Sequence, residues 1–351
     1  MKILVVKLSA FGDIIHALPA LDDLLARPEV TEVHWLVDAR YAFVSEVFPA
    51  CVHVHTVALR GNEPVTSFWK TIRKLRAIGF DAVIDLQGLL KSAVLARGAG
   101  HPVFGIDKHQ LREKASRFLM HPVCFHPDEK HVVQQYRRVA AAPFGSESGH
   151  KPESALAYIP PRIDLTQTSL QTDTSLLSRL GLADKPFVIL HAAGGWETKQ
   201  LPERTWISIA NDLIQTDKTP VFSWGNTSEQ LMAQRLASAC NGFALPERLN
   251  MSALCTVLKG ARAVVGADTG LLHLAAALNV STLTFWGPSA SWRSAPLSEA
   301  SNGDTIDPQG DRNWHIESNP ACGPCFKRRC DRFICMDAID PESITRILHE
   351  L

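Results

Sequence analysis

Short apolar runs alternate with amphipathic stretches along most of the chain. The first run, residues 2–8, ends in small residues and Gly12, and an amphipathic stretch follows from Asp13 to residue 25. This order predicts a buried strand, a tight turn and a helix whose start carries an aspartate. Similar runs predict further elements in the first half, namely strands at 32–37 and 82–86 and helices at 68–78, 89–97 and 130–141.

The alternation restarts after a polar, proline-bearing segment at 152–173, which we interpret as a linker. In the second half, strands are predicted at 187–190, 220–224, 263–266 and 282–286, with helices from Pro202, from Ser228, at 251–259 and at 269–278. Such alternation is typical of a parallel sheet covered by helices. We therefore predict an α/β protein with two domains, residues 1–160 and 161–351, whose sheet edges face a central cleft.

Charge adds one local feature to this picture. The 351 residues hold 36 Lys and Arg against 36 Asp and Glu, which gives no general bias toward nucleic acid. Between Arg60 and Arg117, however, eleven basic residues stand against five acidic ones, which suits an anionic ligand or an anionic membrane surface. Ordinary solvated helix faces are the alternative. Without an apolar run of ~18 residues or a leader before the first strand, we expect a soluble, cytoplasmic protein.

Two glycine-bearing turns in the second half suggest phosphate binding. Ala193-Gly194-Gly195 follows a predicted strand, and Lys199 comes shortly before the helix at Pro202. Glycines allow the backbone to approach an anion, and an ammonium group can neutralise a diphosphate. The spacing matches neither the dinucleotide fingerprint G-x-G-x-x-G nor the Walker sequence.

The second turn is Asp268-Thr269-Gly270, with His273 four residues after Thr269 and thus on the same side of the helix. Here Asp268 can cap the helix while backbone amides point at a ligand. Glu229 lies where open α/β folds contact a ribose. For these residues, and for Asp13 in the first turn, helix capping is the structural alternative to a role in binding or catalysis.

Four of the eight cysteines lie close together in the spacing C-x2-C-x4-C-x4-C. These are Cys322, Cys325, Cys330 and Cys335. In a cytosolic protein, this spacing favours a metal site over disulfides, and four thiolates suit a structural zinc or iron. Reduced cysteines packed in a loop are the alternative.

The chain resembles glycosyltransferase family 9, the ADP-heptose:lipopolysaccharide heptosyltransferases, over almost its whole length. The matching motifs are the run from Lys7 to Leu21, the run Asp85-Leu86-Gln87-Gly88-Leu89-Leu90-Lys91-Ser92, Lys199 before Pro202, and the run from Asp268 to Leu274. The resemblance implies a GT-B fold of two Rossmann-like domains, with the acceptor on the first and the donor nucleotide in the second.

The resemblance also implies a function and a site. Heptose would pass with inversion from ADP-heptose to a Kdo sugar of Kdo-lipid A, or a similar anionic acceptor, at the inner membrane and without a catalytic metal. Asp13 would be the general base, and Lys199 with the amides of the Gly194–Gly195 and Thr269–Gly270 turns would hold the diphosphate. The remaining implied contacts are Glu229 to the ribose, Leu249 to adenine, Asp268 and His273 to heptose or phosphate, and Arg60, Lys91 and Arg112 to the acceptor.

Other functions stay open at this point. A related enzyme could use a UDP-linked sugar, or could add heptose to a later core sugar or to a protein. A non-catalytic adaptor assembled through the cysteines is a further alternative, although the presence of Asp13, Lys199 and Asp268 disfavours it.

Overall fold

The computed structural model describes residues 1–145, 152–173, 175–297 and 312–350. The chain divides into two compact units, Met1–Ser169 and Leu170–Leu351. The sequence-derived boundary at residue 160 lies in the stretch just before this division, where the structure has a single 3-10 turn at Leu165–Gln167.

The N-terminal unit alternates strands and helices from its first residues. Its elements are β1 (Lys2–Val6), α1 (Phe11–Ile15), α2 (Leu18–Leu25), β2 (Glu32–Asp38), β3 (His53–Val57), α3 (Pro64–Arg76), β4 (Ala82–Asp85), α4 (Leu90–Ala99), β5 (Val103–Gly105), β6 (His121–Pro122) and α5 (Val132–Ala141). Two 3-10 segments, Ala39–Val47 and Lys114–Phe118, connect some of them.

The C-terminal unit repeats this alternation. Its elements are α6 (Leu176–Arg179), β7 (Phe187–His191), α7 (Glu203–Gln215), β8 (Thr219–Phe222), α8 (Thr227–Cys240), β9 (Phe243–Ala244), α9 (Met251–Gly260), β10 (Ala263–Ala267), α10 (Gly270–Ala277), β11 (Ser281–Trp286), α11 (Ser291–Ser294), β12 (Asn313–Glu317), α12 (Ile334–Asp337) and α13 (Pro341–His349).

Each unit contains one six-stranded parallel sheet, and the two sheets share one strand order. The orders are β3-β2-β1-β4-β5-β6 and β12-β11-β10-β7-β8-β9. Counted from the first strand of each unit, both read 3-2-1-4-5-6, the order of the Rossmann fold. The α/β prediction is therefore confirmed. The strand order reverses between β1 and β4 and again between β7 and β10, and ligands of such sheets bind at the carboxyl ends of these strands.

Apolar strands form the centre of each unit. Strand β1 is buried along four of its five residues, and β10 along all five. Parallel strands with helices on both faces read as continuous apolar runs, which is why both were predicted from the sequence. The structure differs from the sequence prediction at residues 13–25. Two helices, α1 and α2, are found there in place of the single predicted helix. Pro19 lies in the first turn of α2, a position where its missing N–H costs little, and it disfavours one continuous helix.

Several strands were missed by the sequence prediction. These are the short or polar strands β3, β5, β6, β9 and β12. Within the described ranges, none of the helices has the length and apolar character needed to cross a membrane.

Candidate active site

Asp13 lies in the first turn of α1, the short helix that follows β1 at the carboxyl edge of the N-terminal sheet. Its Oδ2 accepts a hydrogen bond from the backbone N–H of Ala10 at 3.1 Å, and the N–H of Ile14 donates to the Ala10 carbonyl at 3.0 Å. The side chain is partly exposed. Asp13 therefore caps the short helix α1 with one oxygen, which is the structural role foreseen as the alternative, and the other oxygen is available to a ligand.

Gln87 holds the loop between β1 and α1, the helix that contains Asp13. Its Oε1 accepts hydrogen bonds from the backbone N–H groups of Leu8 and Ser9, at 2.9 and 3.0 Å. These contacts join the loop after β4 to the loop after β1 across the reversal in strand order. Gln87 belongs to the family motif at residues 85–92, and this motif is the signal in the sequence that marks it.

A buried lysine and a buried aspartate also stabilise these two loops through hydrogen bonds. The Lys7 ammonium donates to the Leu86 carbonyl at 3.0 Å and to the Tyr136 hydroxyl at 2.6 Å. Asp85 accepts from the backbone N–H of Gln87 and from the Ser92 hydroxyl, both at 2.9 Å. Burial raises the pKa of Asp85 to about 6, although these hydrogen bonds and the Lys7 charge oppose the shift.

The three basic residues predicted to bind the acceptor all follow strands of this sheet at its carboxyl edge. Arg60 comes after β3, Lys91 is in the first turn of α4 after β4, and Arg112 is in the loop after β5; all three are exposed. Burial would raise the pKa of the Asp38 carboxyl at the end of β2, but the hydrogen bonds and charge of Arg40 lower it, and the Lys91 charge adds to this effect. The fold thus places three exposed cations on the edge that carries Asp13.

In the C-terminal unit, Lys199, Asp268 and His273 form one buried cluster. The Lys199 ammonium is 2.5 Å from Asp268 Oδ2 and 2.9 Å from the Asp268 carbonyl oxygen. His273 Nε2 is 3.0 Å from Asp268 Oδ1. Lys199 follows β7 and Asp268 follows β10, so the cluster lies at the second reversal of strand order.

The cluster keeps Asp268 ionised. Burial alone would raise the pKa of this carboxyl, but the hydrogen bond from His273 and the charge of Lys199 hold it far below its usual range. The Lys199 ammonium also lies 4.4 Å from the centre of the Trp196 ring, a cation–π contact. Trp196 was not selected from the sequence.

Helix α10 begins beside this cluster, with Thr269 as its N-terminal cap residue. The first turn of a helix leaves backbone N–H groups without intrahelical partners, and its dipole favours an anion there. The Thr269 hydroxyl is buried, and no hydrogen-bond partner is found for it among the described residues. Together these groups offer hydrogen-bond donors and acceptors beside the Lys199 ammonium.

The glycine turn after β7 leaves room next to the cluster. A Cβ added to Gly194 would lie 3.4 Å from the Trp196 carbonyl oxygen and 3.5 Å from Lys199 Cβ. A Cβ added to Gly195 would meet no atom of the described residues within 4 Å. The backbone at Gly195 is therefore open to a ligand.

Glu229 and Leu249 lie near the carboxyl edge of the same sheet. Glu229 Oε2 accepts from the backbone N–H of Gly225 at 2.7 Å, and the N–H of Glu229 donates to the Asn226 side chain at 3.1 Å. Glu229 is therefore part of the cap of α8, and its Oε1 is the oxygen left for a ligand. Leu249, in the loop after β9, is half-buried.

The four clustered cysteines are all free thiols. Burial raises the pKa of Cys335, and the neighbouring Cys325 and Cys322 add to this effect, so these three lie near one another. Cys330 is exposed, and backbone hydrogen bonds from Arg332 and Phe333 lower the pKa of its thiol. In the described parts of the chain, no three of the four sulfurs come within 4.8 Å of one another, and the four-thiolate site stays a prediction.

Comparison with known proteins decides the family. The profile of glycosyltransferase family 9 (heptosyltransferase) matches residues 68–332. The chain belongs to this family. It is 33% identical to lipopolysaccharide heptosyltransferase 1 of Pseudomonas aeruginosa over 347 residues, which cover 94% of this chain and 87% of the relative. The enzyme of the same name from Escherichia coli K12 is 32% identical over 82% of this chain and 88% of its own length.

Solved structures agree with this family assignment. Escherichia coli heptosyltransferase WaaC, solved with ADP-2-deoxy-2-fluoro heptose, matches with a TM-score of 0.72 and 25% identity, over 100% of this chain and 99% of that one. E. coli ADP-heptose lps heptosyltransferase II matches in fold, with a TM-score of 0.74 at 18% identity over 100% and 98% of the two chains. The family 9 protein is thus a glycosyltransferase, and the predicted GT-B fold class is confirmed.

Proposed function

We propose that this glycosyltransferase transfers heptose from ADP-heptose to a Kdo sugar of the lipopolysaccharide inner core. The observation that carries the proposal is the buried Lys199–Asp268–His273 cluster beside the start of α10, where an ADP-sugar can meet both a cation and free backbone amides. Support comes from the 33% identity with a lipopolysaccharide heptosyltransferase 1 over most of both chains.

The donor would bind to the C-terminal unit. The Lys199 ammonium and the first-turn amides of α10 would hold the diphosphate and stabilise the negative charge that grows on the departing ADP. The turn at Gly194 and Gly195 would let the phosphates approach the backbone, and Gly270 adds no side chain at the first position of α10. Glu229 Oε1 would accept from the ribose hydroxyls, and Leu249 would pack on adenine.

The acceptor would bind to the N-terminal unit, next to Asp13. The acceptor hydroxyl oxygen attacks the anomeric carbon of heptose, the bond from that carbon to the ADP oxygen breaks, and Asp13 takes the hydroxyl proton. Attack opposite to the leaving group inverts the anomeric centre. A well-placed general base contributes about 10²–10⁴-fold to such a step. Asp268 and His273 would orient the heptose hydroxyls or the phosphates.

Arg60, Lys91 and Arg112 would contact the carboxylates and phosphates of the acceptor. Kdo-lipid A is strongly anionic and lies in a membrane, so we propose that this edge approaches the cytoplasmic face of the inner membrane. The positive charge in this scheme comes from side chains and helix amides and requires no metal, and a zinc or iron held by the cysteines would be structural.

Mass spectrometry of transfer products tests the proposed function. Purified protein with ADP-heptose should add one heptose to Kdo-lipid A, and should leave Kdo-lipid A that already carries heptose and a panel of proteins unchanged. Transfer to one of those acceptors and not to Kdo-lipid A would assign the enzyme to a different step. Calorimetry with ADP-heptose and UDP-linked sugars, in which only the former binds, tests the donor separately.

A further inference from the structure

Besides the cysteines, the N-terminal sheet has a group of side chains that can bind a metal. This group lies at the amino edge of the sheet, opposite to the edge that carries Asp13. Glu32, His34 and His53 each offer one ligand atom, and these atoms all lie within 4.8 Å of one another. Within the described ranges this is the one group of three or more such residues. Glu32 and His34 begin strand β2 and His53 begins β3, so the group lies at the amino edge of the sheet, whereas Asp13 is at the carboxyl edge.

The register of the sheet puts the three side chains on one face. His34 is paired with His53 in the parallel ladder between β2 and β3. Alternate residues of a strand share a face, so Glu32 lies on the same side as His34, and His55 on the same side as His53. The rings stack accordingly, with centres 4.7 Å apart for His34 and His53 and 5.2 Å apart for His34 and His55.

Hydrogen bonds orient the His34 ring. Its Nδ1 lies 2.9 Å from His55 Nε2, and its Nε2 lies 3.2 Å from Glu32 Oε2. Histidines that bind metals through one nitrogen usually hold the other nitrogen in a hydrogen bond, which fixes the ring and its tautomer. His55 supplies that partner here, which leaves Nε2 of His34 as the atom directed toward the carboxylate.

The surroundings allow a cation to enter. His34 is buried against Phe80, with ring centres 5.1 Å apart, while His53 is exposed on edge strand β3. Lys2 pairs with Glu32 Oε1 at 2.9 Å, so it occupies the carboxylate oxygen that does not face His34. Two nearby cations oppose the binding of a metal ion: Lys2, which pairs with Glu32, and Lys74, whose charge acts on the supporting ring of His55.

We propose that Glu32, His34 and His53 bind one divalent cation of the zinc class and thereby tie the edge strand β3 to β2. Two imidazoles and one carboxylate are a common ligand set for zinc, with the fourth position left to water. Metal–ligand bonds of about 2.0–2.1 Å place neighbouring ligand atoms about 3.3 Å apart in a tetrahedral site. The exposed His53 ring can supply the small movement that closes the group. This site has no part in the transfer reaction.

Cobalt titration of the chelator-treated, reduced full-length protein tests the site. Co²⁺ bound by imidazole and carboxylate shows d–d absorption without the sulfur-to-metal charge-transfer band that thiolate ligands produce, so the cysteine cluster is distinguished. The wild-type protein should bind one equivalent without that band, and His53→Ala should lose this equivalent. Loss of even an outer-shell partner of a metal ligand costs about 10–100-fold in affinity, so Glu32→Gln, which removes the charge of a direct ligand, should weaken binding by at least ~10-fold.

His109→Ala is the matched control, because His109 is another exposed histidine of the same unit outside the group. This variant should bind cobalt like the wild type. Zinc should also raise the melting temperature of wild type and His109→Ala but not of His53→Ala, since a ligand specific to the folded state stabilises it. Equal cobalt stoichiometry in wild type and His53→Ala, or a charge-transfer band on every bound cobalt, overturns the proposal.

Discussion

Asp13 shows how one carboxylate can serve both the fold and the proposed reaction. Oδ2 accepts from the Ala10 N–H, and this contact holds the turn in which the side chain lies. An oxygen engaged in a cap is fixed in place, so the other oxygen has a defined position for accepting a proton. Capping and catalysis, which the sequence presents as alternatives, are therefore compatible in this turn.

Asp13→Asn separates these two roles. The amide oxygen can still accept from Ala10, so the fold and the melting temperature should change little. Because an amide is a far weaker base, turnover should fall by at least ~10²-fold while donor affinity stays close to the wild-type value. Steady-state kinetics and calorimetry measure the two quantities. Asp184→Asn, which changes an exposed carboxylate of the other unit, is the control and should keep the wild-type turnover. Near-native turnover of Asp13→Asn would mean that Asp13 is only a helix cap.

Lys199→Ala tests the donor site. A hydrogen bond to a charged group contributes about 1.5–3 kcal/mol, so the affinity for ADP-heptose should fall about ten- to hundredfold. Isothermal titration calorimetry at low salt measures this loss. The exposed Lys185 provides the control, Lys185→Ala, which should bind ADP-heptose normally. Unchanged affinity in Lys199→Ala would place the diphosphate elsewhere.

Among the elements, those with a strong apolar pattern could be predicted from the sequence. Strand β1 and strand β10 are apolar runs that end in turns, and both were found. Strand β3 was missed because His53, His55 and Thr56 give it a polar edge pattern, and its place becomes apparent only when β2 pairs with it. Strands β6 and β9 have two residues each, too few for any periodicity.

The candidate site was predictable to a similar extent. The turns that carry Asp13, Lys199 and Asp268 stand out by glycine and charge, and the family resemblance adds roles to them. The sequence pattern does not show which residue each of these side chains contacts. The hydrogen bonds of Gln87 to the loop after β1 and the contact of Lys199 with Asp268 join residues far apart in the sequence, so they depend on the tertiary fold.

Strand β10 packs closely against its neighbours at Gly266, and this packing leads to a prediction about stability. A Cβ on Gly266 would lie 2.8 Å from Leu272 Cδ2 and 3.1 Å from the His191 carbonyl oxygen. Gly266→Ala should therefore force β10 away from β7 or α10 and lower stability by about 1–3 kcal/mol.

Chemical denaturation of Gly266→Ala measures this loss. The control is Gly195→Ala, where the added methyl group meets no atom of the described residues within 4 Å, so the free energy of unfolding should stay within about 0.5 kcal/mol of the wild type. A Gly266→Ala protein as stable as the wild type would mean that the strand and helix adjust without strain.

At the scale of the whole molecule, two sheets of the same strand order are each built around a separate apolar core. One core includes Leu4, Val6 and Leu36, and the other includes Val188, Leu190 and Trp206. The proposed division of labour, acceptor on the first unit and donor on the second, uses the same structural position in both sheets. Each unit offers the carboxyl ends of its two central strands.

The cysteine cluster gives a prediction for the whole protein. If Cys322, Cys325, Cys330 and Cys335 bind a structural zinc or iron, protein purified under reducing conditions should carry about one equivalent with thiolate ligands. Removal of this metal should lower the melting temperature but leave transfer at low temperature intact. Less than a tenth of an equivalent, together with four titratable thiols in the native protein, would favour the packed-loop interpretation.

The buried pair of Lys199 and Asp268 has a consequence for selectivity. The Lys199 ammonium has an anionic partner within the chain, since it lies 2.5 Å from Asp268 Oδ2. In the proposed donor site, binding of ADP-heptose would then be an exchange of anions, in which the diphosphate competes with the Asp268 carboxylate for Lys199. A small monoanion would gain only the contact with Lys199 from this exchange, whereas a diphosphate would also contact the amides of α10. Under this proposal, the same exchange would release an Asp268 oxygen for the heptose, and the internal carboxylate would disfavour anions that cannot make both sets of contacts.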